Sequence, residues 1–131
     1  MVKETIKRVL DFYNLKSEIG EDRFVAAEYI PERYKGVYVI SKNDLAIYVG
    51  KGVIKNRNRS HLEKMLADAT NVPEGWRILK EDSNFNNPED WTLNYILLDK
   101  ETQRTAVEGS LIYFLTPKAN DETISDLLKE V

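Results

Sequence analysis

Residues 35 to 49 read KGVYVISKNDLAIYV, two runs of β-branched and aromatic side chains separated by Lys42, Asn43 and Asp44. Branched and ring-bearing side chains pack well on a pleated surface, and the Asn-Asp pair is turn chemistry, so this stretch predicts a β-hairpin ended by Gly50. The rest of the chain must then supply what packs on that hairpin.

The flanking segments supply helices and one more strand. Val2, Ile6, Val9, Leu10 and Tyr13 recur at spacings of three and four, which predicts an amphipathic helix over residues 2 to 15. Residues 16 to 32 are mixed and charged, with Phe24, Val25, Tyr29 and Ile30 as anchors and Pro31 as the close, and their pattern assigns no element. After the hairpin a basic stretch, 51 to 59, leads into a helix reaching Ala69, with Leu62, Met65, Leu66 and Ala69 inward. Residues 71 to 75 end it. Trp76 to Leu79 reads as a short strand, 80 to 90 as a polar loop, and 91 to 98 (WTLNYILL) as a buried third strand. A helix over 102 to 115 is stopped by Pro117, and a short helix over 121 to 131 turns Ile124, Leu127 and Leu128 inward. The expected fold class is α+β: a small three-stranded mixed or antiparallel sheet flanked by helices.

A chain of 131 residues is sized for one domain with an ordinary hydrophobic core. We expect one compact unit, with residues 1–35 as a helical extension on a domain of residues 36–131. The absence of cysteine excludes a disulfide scaffold, a Cys-based zinc site, an iron–sulfur cluster and a cysteine nucleophile. No apolar run exceeds the five residues of Leu111–Leu115, far short of the ~20 a membrane span needs, and the first residues carry no signal-peptide core. The expectation is therefore a cytoplasmic protein with no membrane partner.

The net charge of −3 hides an asymmetry. Residues 33 to 64 carry eight Lys and Arg against Asp44 and Glu63, a local balance of +6 that leaves −9 for the remainder. Such a stretch is an anion-binding face or a solvated surface, and composition alone does not separate the two.

Four features carry chemistry. Tyr38 and Tyr48 stand on facing strands and share a sheet face if the register allows it, where two phenols can position a water; tyrosine is also simply a good strand residue. Arg57 and His61 are four apart and share a face if both are helical, a clamp for a phosphate whose charge grows during cleavage. Against this, Ser60 and Glu63 resemble a capping box that would start the helix at Ser60, leaving Arg57 in a loop and Arg59 as a competitor. Glu108 interrupts the apolar stripe of Leu111, Ile112 and Leu115, so its carboxylate needs a cationic side chain or a metal. Gly109 beside it, costly inside a helix, hints at a close approach to the backbone. Asn120 is a donor to the site or, the favoured reading, an N-cap of the last helix.

Taken together, GVY at 36 to 38, YVG at 48 to 50, Arg57, His61, Glu108 and Asn120 resemble the GIY-YIG nuclease family, over about 85 residues from Gly36 to Asn120. Single parts of that pattern are weak; six in order, with the string ExxLIxxLxPxxN at 108 to 120, are specific. Val37 and Val49 replace isoleucine, and the gap from Gly50 to Arg57 is one residue shorter than usual.

The resemblance implies a metal-dependent DNA endonuclease that leaves 5′-phosphate and 3′-hydroxyl ends. In that reading Glu108 holds a single Mg²⁺ or Mn²⁺. Tyr38 is the general base, assisted by His61 and Lys51, with its pKa lowered by Lys51, Arg57 and the metal. Tyr48 orients the water or phosphate, Arg57 stabilises the transition state, and Gly50, Lys51, Lys55, Arg59 and Asn120 line the substrate side. One such site cuts one strand, so a homodimer is an option for double-strand cleavage. The alternatives are a non-catalytic nucleic-acid-binding module of the same fold, and an acidic protein-interaction surface or DNA mimic.

Overall fold

The computed structural model describes residues 1–68 and 71–120. Ala69 and the helix expected over 121 to 131 lie outside the described residues. The elements are α1 (Val2–Phe12), β1 (Gly20–Arg23), a 3-10 helix (Phe24–Tyr29), β2 (Lys35–Lys42), β3 (Leu45–Val53), α2 (Ile54–Leu66), α3 (Glu74–Glu81), a 3-10 turn (Pro88–Asp90), β4 (Thr92–Leu97) and α4 (Glu101–Leu115).

The hairpin forms as its residues dictate. Asn43 and Asp44 both take positive φ, 48° and 66°, the conformation that a two-residue loop needs to match the twist of its strands. Asp44 is used twice, because its Oδ1 also accepts from the N–H of Val2 at 3.0 Å and so ties α1 to the turn. A register shift follows Ile40: Ile40 faces Tyr48, Ser41 faces Ala46, and Ile47 is the extra residue. This bulge lets Ile47 and Tyr48 both reach the same core.

The sheet has four antiparallel strands in the order β1-β4-β2-β3, not the three expected. The additional strand, GEDR at 20–23, has no apolar alternation to betray it; it pairs with β4 by backbone at an edge, where charged side chains are tolerated. One face, with Val37, Val39, Val49 and Ile96, is covered by α1 and α4. The other, with Tyr38, Ile40, Ile47 and Leu93, is covered by α2, α3 and the Phe24 turn.

Three further expectations are corrected. The helix α2 starts at Ile54 rather than Ser60, because Ile54 and Asn58 are drawn into the core and the Asn58 side chain donates to the Phe24 carbonyl at 2.9 Å. Its buried line is Ile54, Asn58, His61 and Met65, while Leu66 is 74% exposed. Residues 76 to 79 are helical: after Pro73, Trp76 and Leu79 point inward at i, i+3 and Ile78 points out, a spacing that a strand would not produce. At Gly109 a Cβ would meet nothing within 4 Å among the described residues, so no close approach accounts for that glycine. Among the described residues no helix is long and apolar enough to cross a membrane.

Candidate active site

The site is built on the hairpin's two glycine-flanked tyrosines. Tyr38 lies opposite Gly50 and Tyr48 opposite Ile40, so the phenols sit diagonally on one face, with ring centroids 6.2 Å apart and planes 25° from parallel. Gly50 makes this possible, since a Cβ there would stand 2.4 Å from the Tyr38 hydroxyl and 2.9 Å from a Tyr48 ring carbon. Tyr38 is 1% exposed, and its Oη lies 2.7 Å from His61 Nε2.

His61 is wedged in an aromatic cage. Its ring stacks on Trp76 at 4.8 Å and 15°, and meets Tyr48 at 4.3 Å. On its other nitrogen, Lys64 Nζ stands 3.4 Å from Nδ1 and 5.6 Å over Trp76. Burial, reinforced by the charges of Lys64 and Arg57, pushes the pKa of His61 down to about 3, so the imidazole is neutral at physiological pH. Burial likewise raises the Tyr38 pKa well above the ordinary phenol value; Tyr48 and Glu108 push the same way and Arg57 opposes them. The expected lowering by this chain's own cations is thus outweighed by desolvation.

Because α2 begins at Ile54, Arg57 and His61 share a helical face, and Lys64 continues the stripe one turn on. Arg57 and Arg59 are both exposed, and the charge of Arg57 acts on Tyr38 and His61. Lys51 is a second correction: it faces Val37 across the strands, on the opposite side of the sheet from Tyr38, and its Nζ bonds Glu101 and Thr105 of α4. Lys55 pairs instead with Glu32, at 3.9 Å.

Asn120 does not wait on a following helix for its role. Its Oδ1 accepts from Val49 N and its Nδ2 donates to Val49 O, both at 2.8 Å. The N–H of Ala119 reaches Ile47 O at 2.8 Å, so residues 119 and 120 run along the open edge of β3 like a short additional strand. Trp76 and Lys64 were absent from the candidates. Lys64 has a sequence signal, three residues after His61 and seven after Arg57; Trp76 has none, because α3 is brought in by tertiary packing.

The sequence matches no family model and no curated protein. Solved structures do match. The GIY-YIG N-terminal endonuclease domain of UvrC from Thermotoga maritima, bound to its catalytic divalent cation magnesium, aligns with a TM-score of 0.51 at 23% identity, over 76% of this chain and 97% of that one. A point mutant of the same domain, bound to its catalytic divalent cation, gives 0.52 at 22% identity, over 77% and 98%. The chain has the GIY-YIG fold.

In this GIY-YIG fold Glu108 is the candidate carboxylate for a hard cation. Glu108, half-buried on α4, is near enough for its charge to act on Tyr38. No group of three or more His, Asp and Glu side chains gathers among the described residues. A cation on Glu108 would thus complete its coordination with water and phosphate oxygens, the habit of Mg²⁺.

Proposed function

We propose that this chain is a divalent-metal-dependent endonuclease that hydrolyses DNA phosphodiester bonds to 5′-phosphate and 3′-hydroxyl ends. The observation that carries the reading is the contact between buried Tyr38 Oη and His61 Nε2 at 2.7 Å, flanked by the charges of Arg57 and Glu108.

The hydrogen-bond logic assigns the roles. An ammonium has donors only, so with Lys64 Nζ 3.4 Å from Nδ1 we assign that nitrogen as the acceptor and the single proton of neutral His61 to Nε2. His61 therefore donates to Tyr38 Oη. It supports a phenolate and does not take the phenol's proton. Tyr38 as phenolate is the general base for the attacking water, Tyr48 orients that water, and Arg57 answers the charge that builds on the phosphoryl oxygens. Glu108 would hold a Mg²⁺ or Mn²⁺, whose positive charge would favour the Tyr38 phenolate against the cost of burial and offset the charge of the scissile phosphate. Asn120 holds Val49, and so the Tyr48–Gly50 segment, in place.

The test is a cleavage panel over linear, supercoiled, flapped and four-way DNA with Mg²⁺ and Mn²⁺, analysed for end chemistry. Cutting should stop with EDTA and fall by at least about 100-fold in Tyr38→Phe and Glu108→Ala, the scale of a lost acid–base group. Intact DNA in every lane with both metals, or cutting that survives both substitutions, overturns the proposal.

A further inference from the structure

A groove of about 510 Å³ opens beside Arg57, lined by Lys35, Gly52, Asn56, Arg57, Ser60 and Arg104. Its walls come from three directions: the start of β2, the first turns of α2 and the first turn of α4. Gly52 leaves it open, because β3 turns there with φ +127° and the Arg57 side chain lies across the glycine, its Nε 3.1 Å from where a Cβ would stand. One carboxylate, Glu101, reaches the lining. Lys51 and then Arg104 bond it and push its pKa down to about 2, so its charge is already answered from within the protein. Three cations, Lys35, Arg57 and Arg104, line the groove beside one acid, and Asn56 and Ser60 add neutral hydrogen-bonding groups.

We propose that this groove is a second phosphate seat: it holds a backbone phosphate of the strand being cut, one or two nucleotides from the scissile bond. The inference rests on the nuclease reading for what lies at the tyrosines. The spacing comes from α4, where Glu101 at the groove and Glu108 at the scissile site are seven residues, or about 10 Å, apart. Successive phosphates of one strand rise about 3.4 Å along the duplex axis but, lying off that axis, stand about 7 Å apart, so that separation spans one or two nucleotides. Lys35 and Ser60 have no part in the chemistry at Tyr38; in the groove they fix where the strand sits.

Two measurements test it. The first is DNA binding by fluorescence anisotropy in EDTA across a salt series, for wild type, Lys35→Ala, Lys35→Arg and Ser60→Ala. Lys35→Ala should bind at least several-fold more weakly and flatten the log K against log salt slope by about 1, one phosphate contact, while Lys35→Arg keeps the slope. The second is cleavage of oligonucleotides carrying a single uncharged methylphosphonate at each position around the cut. One position, one or two nucleotides away, should slow the wild type at least tenfold and have little further effect on Lys35→Ala. An unchanged slope, or no sensitive position beyond the scissile phosphate, overturns the groove while leaving the nuclease reading intact. A Lys35-dependent slope without any cleavage keeps the groove as a nucleic-acid site and overturns the nuclease.

Discussion

His61 is the only histidine in the chain, so its state can be read without assignment. Held between Tyr38, Trp76 and Lys64, it should show an unprotonated Nδ1 and a protonated Nε2 in nitrogen-15 spectra, with no titration between pH 8 and 5. A titration midpoint near 6.5 would remove the donor role assigned to it. The same burial has a stability cost in acid. The folded pKa of about 3 lies below the ordinary 6.5, so between those values the unfolded chain binds the extra proton. Stability from this residue is therefore complete above about pH 6.5 and is lost as pH falls toward 3, at about 1.4 kcal/mol per pH unit. Denaturant melts at pH 7 and pH 5 should show the wild type losing about 2 kcal/mol more than His61→Gln. Arg57 shows the limit of reading one residue at a time: the apparent cap at Ser60 pointed the wrong way, and because α2 begins at Ile54, Arg57 and His61 stand one turn apart on one helix.

At the scale of elements, the site depends on the open edge of β3 being closed by a few residues. Val49 is fully buried, and the Asn120 amide satisfies both its N–H and its carbonyl. Asn120→Ala strands two backbone groups and should cost about 2 kcal/mol in unfolding free energy, with cleavage falling through kcat as Tyr48 and Gly50 lose their register. Asn120→Asp is the sharper probe, because a carboxylate can accept from Val49 N but meets Val49 O with no donor. It should be no better than alanine; a variant as stable and active as wild type would show that the two bonds carry no weight. The string ending at Asn120 was visible in the sequence. The bonds it makes were not, since residues 49 and 120 are distant in the chain and no local period links them.

At the scale of the whole molecule, the two layers meet at one place. Helix α4 packs against β2 and β3 from one face and α2 from the other, and β3 is the last strand, so Glu108 and the Arg57–His61 stripe converge at its margin. Charge is organised around that margin. Within the basic stretch Lys51 and Lys55 are engaged by Glu101 and Glu32, and Lys42 donates to the Asn84 carbonyl. With at most the other five cations of that stretch to meet phosphates, DNA affinity should fall with a log–log salt slope no steeper than about −4.5. A slope steeper than about −6 would show that the acidic scaffold is not limiting the footprint. A net charge of −3 is thus compatible with a nucleic-acid substrate, provided that the contact is small and local.

The sequence by itself determined what depends on neighbours a few residues away: the hairpin and its Asn-Asp turn, the amphipathic stripes of α1 and α4, the third apolar strand, and which polar side chains were candidates for chemistry. Only the tertiary structure decided that GEDR is a strand, that Trp76 rides on a helix beneath His61, that Lys51 turns to the opposite face, and that the two ring nitrogens of His61 meet Tyr38 and Lys64. The physical reason is range. Periodicity and turn chemistry are written in consecutive residues, whereas strand register, burial and the partner of a ring nitrogen are set by groups that meet only after the chain has packed.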